Sequence, residues 1–231
     1  MRIAVFGPHP DDQEIGMGGT IARFAVAGHE VTLVDMTNGE PTPYGTPELR
    51  ASEAATAAKI LGVARVPLGL TNRGIVNDLR SRAILAGAIR TLKPHLIFAP
   101  HPEDVHPDHV AASALVEGAR FAAKYTKSDL PGEPWIVRHL FHYYSIHLRS
   151  IPAPTILADT TGHALTKRNA ILAYESQFVM NQRNRKVVDW LDAAGIYFGS
   201  RIGVETAEAF YSRECVPIDF AMLPLLDEVP G

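Results

Sequence analysis

A chain of 231 residues with ordinary apolar content and a formal charge of -3 is long enough to bury one substantial core. It contains nothing close to the roughly 20 uninterrupted apolar residues that span a bilayer, and no broad cationic face suited to nucleic acid or an anionic membrane. Cys215 is the single cysteine, which excludes an internal disulfide and requires any metal site to be built from imidazole and carboxylate.

Met1 and Arg2 lead straight into an apolar run over residues 3–6, too short for a signal peptide, so a cytoplasmic location is the default expectation. That run and those over 31–36, 63–68 and 96–99 read as buried strands. Helices are expected between them: over 18–27, over 47–61 with Pro47 in the first turn and Gly62 at the stop, and over 77–92. A fourth opens near Pro107, with Val110, Ala111, Ala114, Leu115, Ala119 and Phe121 on its inner side. Further strands are expected over 140–146 and 155–158, and helices over 165–177 and 187–194. The polar run 181–186 reads first as a plain solvated loop, with a loop over a site or a subunit contact as the alternatives. The fold class is therefore α/β: a Rossmann-like, mostly parallel sheet with helices on both faces, plus a C-terminal strand and helix extension. The expected organisation is a single domain over 1–231, with its core over about 1–125 and the extension over about 135–231.

Chemistry concentrates in two clusters, each just after a predicted strand. The first is Gly7-Pro8-His9-Pro10-Asp11-Asp12-Gln13-Glu14; the second runs from His101 through His106-Pro107-Asp108-His109. In a doubly wound sheet of order 3-2-1-4-5, strands 1 and 4 are neighbours at the switch point, so both clusters open on one crevice. Two imidazoles and a carboxylate, here His9, Asp12 and His109, form a set that leaves a position open for water on a hydrolytic zinc. Asp11, beside Asp12, is placed to accept that water's proton. His106 could stabilise an oxyanion or protonate an amine, with Asp108 raising its pKa and fixing its ring. Spacing alone leaves the roles of the two histidines open. Glu14, Glu103 and Asp104 are candidates to orient ligands from behind, and His101 is unassigned. Gly16, Gly18 and Gly19 lack the last glycine of a dinucleotide fingerprint and read as positions for close packing of helix on sheet or for a tight approach of backbone to the site.

These motifs, together with Arg50, Glu53, Leu61-Gly62, the stretch Ala173-Tyr174-Glu175-Ser176-Gln177-Phe178 and Glu208-Ala209-Phe210, resemble the PIG-L/LmbE-like N-acetylglucosaminyl deacetylases, and within them the bacillithiol-pathway branch. The resemblance implies Zn2+ on His9, Asp12 and His109, Asp11 as general base, and His106 as the electrostatic or acid group backed by Asp108. It further implies that Arg50, and more weakly Arg73, hold sugar hydroxyls or an anionic group on the aglycone, and that a tyrosine approaches the substrate, for which Tyr197 is available; Tyr144 is a second candidate, read first as a core-packing residue. The expected reaction is hydrolysis of the acetamide of a small N-acetylglucosamine-containing molecule, with N-acetylglucosaminyl-malate, free N-acetylglucosamine or a chitooligosaccharide as substrate. A homo-oligomer is compatible with the resemblance, and neither nucleic acid nor membrane is an expected partner. Two rivals share the same residues: an iron-dependent oxygenase with a two-histidine, one-carboxylate triad, and a non-catalytic sugar- or nucleotide-binding module.

Overall fold

A computed structural model describes residues 1–145 and 152–217. Seven strands, β1 (Arg2–Gly7), β2 (Glu30–Asp35), β3 (Ala64–Pro67), β4 (Leu96–Pro100), β5 (His139–Tyr143), β6 (Ile156–Asp159) and β7 (Ala207–Tyr211), form one sheet in the order β3-β2-β1-β4-β5-β7-β6. The pairings among β1 to β5 are parallel, while β7 runs antiparallel to both β5 and β6. The helices are α1 (Asp12–Val26), α2 (Pro47–Leu61), α3 (Leu79–Leu92), α4 (Pro107–Ala123), α5 (Ala164–Leu172), α6 (Glu175–Phe178) and α7 (Arg185–Ser200). None is long and apolar enough to cross a membrane among the described residues.

Period-two alternation along β1 divides the core. Ile3 and Val5 pack with residues of α1, α2, α5 and α7 on one face, and Ala4 and Phe6 with residues of α3 and α4 on the other. A sheet covered on both sides makes its central strands apolar throughout, which is why β1 and β4 are legible as buried runs. β3 differs: it is an edge strand, half-exposed along its length, rather than the buried strand its composition suggests.

Helix α1 starts at Asp12, inside the first motif, rather than at residue 18. It is two helical pieces joined at Met17, whose φ of -152° is non-helical. The second piece restarts because Glu208 on β7 accepts from Gly19 N (2.9 Å) and Thr20 N (2.7 Å), with Lys167 Nζ 2.7 Å from the same carboxylate. Gly16, Gly18 and Gly19 do allow close packing: a Cβ on each would press on Tyr143, Lys167 and Thr160 respectively.

Other expectations need correction. The inner face of α4 is Ala112, Ser113, Leu115, Val116, Ala119 and Ala123, whereas Val110, Ala114 and Phe121 are exposed. The helix expected over 165–177 is broken between Leu172 and Glu175, and α7 continues six residues beyond 194. The strand expected over 140–146 ends at Tyr143, and residue 146 lies outside the described residues. β7 is not evident as a strand from sequence, because Glu208, its second residue, interrupts the apolar pattern.

Candidate metal centre and active site

Parallel strands β1 and β4 are adjacent, so the loops at their carboxyl ends converge as the switch-point rule requires. The first loop turns sharply at Asp11, whose φ of 116° lies in the left-handed region, a conformation costly for a residue with a Cβ. The turn folds Asp12 back so that Oδ2 accepts from His9 N at 2.9 Å. In the second loop, His106 is the N-cap of α4, and its Nδ1 accepts from Asp108 N at 3.2 Å. That contact leaves the proton of a neutral His106 on Nε2.

Asp12 lies between the two imidazoles: Oδ2 is 3.2 Å from His9 Nδ1, and Oδ1 is 3.2 Å from His109 Nε2. One ligand atom from each of His9, Asp12 and His109 lies within 4.8 Å of the others. A tetrahedral zinc with arms of about 2.0–2.1 Å has ligand-to-ligand edges of roughly 3.3 Å, so this donor set fits such an ion. Asp104 Oδ2 lies 2.9 Å from His109 Nδ1 and orients the ring from behind. Burial opposes a charge on His109, yet Asp12 and then Asp104 outweigh it and push its pKa up to about 10.

A second donor set, His9, His106 and Asp108, is close enough to consider. Its members are committed elsewhere. Asp108 Oδ2 accepts from Arg73 N at 2.9 Å and lies 3.2 Å from His9 Nε2, while His106 Nδ1 holds the Asp108 amide. Asp108 thus buttresses His9 with its carboxylate and His106 with its main chain. It raises the pKa of His106 as expected, but burial and then the neighbouring His109 and His9 leave the net shift downward.

Asp11 faces the same cleft, with Arg50 Nη2 2.8 Å from its Oδ2. Burial raises the Asp11 pKa, Arg50 lowers it and Asp12 raises it, for a value of about 6; a divalent cation nearby would lower it further. Arg50 is buried rather than on a helix surface, and also donates to Pro10 O at 2.6 Å. The cleft has a volume of about 270 Å³ and includes Arg73, Thr42, Asn72, Gln177 and Asn184 on its walls.

Asn72, Gln177 and Asn184 carry no motif that marks them as functional. Only the position of Asn184 in the polar run 181–186 points toward the site, while Gln182, Arg183, Arg185 and Lys186 lie in that run without lining the cleft. Tyr144 donates to Pro152 O and Tyr197 is exposed on α7; neither is part of the cleft lining. Glu14 is buried against Arg65, Glu103 meets His101 through its main chain, and His101 stacks on Tyr144. A larger cavity of about 530 Å³, beside α4 and β5, includes Glu117, Arg120 and Arg213. Neither donor set lies there, so its size does not make it the site of metal chemistry.

With the fold and this constellation established, the class is clear: the chain belongs to the PIG-L family, described as GlcNAc-PI de-N-acetylase, whose model matches residues 4–120. It is 28% identical over 195 residues to a diacetylchitobiose deacetylase from Thermococcus kodakarensis, covering 77% of this chain and 70% of the relative. It is 30% identical over 169 residues to a 1D-myo-inositol 2-acetamido-2-deoxy-alpha-D-glucopyranoside deacetylase from Rhodococcus erythropolis, covering 58% of each. Among solved structures, the conserved protein TT1542 from Thermus thermophilus superposes with a TM-score of 0.89 at 39% identity, over 95% of this chain and 97% of that one.

Proposed function

We propose that this chain is a zinc-dependent hydrolase that removes the acetyl group from a small N-acetylglucosamine-containing molecule. The observation that carries this reading is the meeting, in one small cleft, of a three-ligand donor set with an adjacent carboxylate that is not needed as a ligand. His9, Asp12 and His109 hold the ion. Zinc bound there supplies Lewis acidity toward the amide carbonyl and a water of lowered pKa.

The chain's own groups do the rest. Arg50 occupies Oδ2 of Asp11, leaving Oδ1 to take the proton of the attacking water. His106 donates its Nε2 proton in a hydrogen bond to the oxygen that becomes negative as the carbonyl is attacked. The amine departs with a proton that Asp11 Oδ1 returns.

For the substrate, we infer an N-acetylglucosaminyl conjugate with an anionic aglycone, of which N-acetylglucosaminyl-malate is the leading candidate. Arg50 supports this reading: its buried Nε and Nη1 lack a hydrogen-bond partner among the described residues, while its guanidinium lines the cleft beside Arg73. The related deacetylases keep inositol-linked N-acetylglucosamine and diacetylchitobiose as rivals. The test is acetate release from the malate conjugate, the inositol conjugate and diacetylchitobiose in parallel. Preference by about tenfold or more in kcat/KM for the malate conjugate is expected; preference for a neutral glycoside would reject the anionic aglycone and leave the deacetylase reading intact.

A further inference from the structure

Tyr174 lies between α5 and α6 and is fully buried. Its hydroxyl accepts from Arg65 Nη1 and donates to Glu14 Oε1 at 3.1 Å, so the phenol is anchored at its polar end. Arg65 is in turn 2.9 Å from Glu14 Oε1 and 3.4 Å from Asp35 Oδ2, which ties the anchor to α1 and β2. The ring carries the Arg50 guanidinium, whose Cζ lies 5.3 Å from the ring centroid, within reach of a cation–π contact.

Among the described residues Arg50 reaches two acceptors, Pro10 O and Asp11 Oδ2, both through Nη2. A carboxylate gripped by both prongs of a guanidinium fixes the plane of the group; contact through one nitrogen does not. Something else must set that plane, and the ring of Tyr174 is the surface beneath it. Asp11 depends on the result, because its turn is strained and Arg50 is the side chain that holds its carboxylate.

We propose that Tyr174 is a positioning residue. Its ring holds the Arg50 guanidinium in the plane that presents Nη2 to Asp11, and so keeps the carboxylate aimed into the cleft. The catalytic consequence rests on the reading of Asp11 as the base; the placement of Arg50 does not. Tyr174 would thus act through Arg50, at a distance from the reacting atoms.

Zinc-loaded Tyr174→Phe, Tyr174→Leu and Tyr174→Met test this, each alone and combined with Arg50→Ala. All three single variants lose the hydroxyl, so the difference between Phe and the other two isolates the ring. Deacetylation kcat should stay within about threefold of wild type in Tyr174→Phe, which keeps the ring, and fall about tenfold further in Leu and Met with KM changing less and zinc content unchanged. With Arg50→Ala present, the Leu and Met substitutions should have no further effect, a non-additivity that a purely structural role would not produce. A second readout does not depend on turnover: the Arg50 Nε–H resonance, assigned by its loss in Arg50→Ala, should keep its ring-shifted position in Phe and lose it in Leu and Met. Absence of wild-type deacetylation would reject the proposed function, while the resonance would still decide the placement of Arg50. An unchanged Arg50 resonance in Leu and Met, or effects on kcat that add to those of Arg50→Ala, would overturn the proposal.

Discussion

Asp11 and Asp12 are neighbours with opposite surroundings. Asp12 is enclosed by two imidazoles, while Asp11 turns through a left-handed backbone toward Arg50. That division is legible in the sequence, because adjacent carboxylates in a tight loop do not easily share one direction. The pairing of Arg50 with Asp11 is not, since 39 residues separate them and a basic residue on a helix ordinarily faces water. Asp35, below the site, makes a sharper prediction. Burial raises its pKa, against Arg65 and Gln13, to about 6 from 3.8. Because the folded state favours the protonated form, this stabilisation is fully present below pH 3.8 and is lost as pH rises through about 6; the rise corresponds to roughly 3 kcal/mol. Asp35→Asn should therefore gain stability relative to wild type at about pH 7.5, and that relative gain should shrink as pH falls toward about 4. Urea unfolding across this range measures it, and a difference independent of pH would contradict the assignment.

At the scale of elements, α1 shows what sequence patterns miss. The helix expected over 18–27 begins instead at Asp12, inside the motif, and is split at Met17. Glu208, 189 residues away from Gly19, supplies the cap that allows the second piece to begin. The inner face of α4 differs from expectation for a related reason. Its many alanines leave the apolar period weak, and the rotation of the helix follows His109, turned into the site, and Ser113, whose hydroxyl is 3.3 Å from His142 Nδ1. The close packing of α1 on β5 has a direct test. Gly16→Ala would drive a Cβ into the ring of Tyr143 and should cost about 1–3 kcal/mol or more. Gly195→Ala on α7, where a Cβ meets only ordinary contacts at 3.9 Å, should be neutral or stabilise by up to about 1 kcal/mol. Equal effects of the two in thermal unfolding would contradict the packing described.

For the molecule as a whole, strand–helix alternation implies a parallel sheet, because parallel neighbours need helical crossovers; the order 3-2-1-4-5 is one of the few doubly wound orders that alternation admits, and it is the one found. From that order comes the convergence of two motifs that lie far apart in the chain. The antiparallel pairing of β6 and β7 is hidden because pairing across long connections leaves no local periodicity, and the cleft walls at Asn72 and Gln177 because single amides resemble any polar surface. On the proposed reading, one metal and Asp11 together cleave an acetamide. The most direct test is acetate release by wild type and Asp11→Asn, each stripped with a chelator and then reloaded with one equivalent of zinc. Wild type should lose activity on stripping and regain it on reloading, and Asp11→Asn should bind zinc equally well but turn over about 10²–10⁴-fold more slowly. Near-normal turnover by zinc-loaded Asp11→Asn, or full activity in the stripped wild type, would contradict that reading.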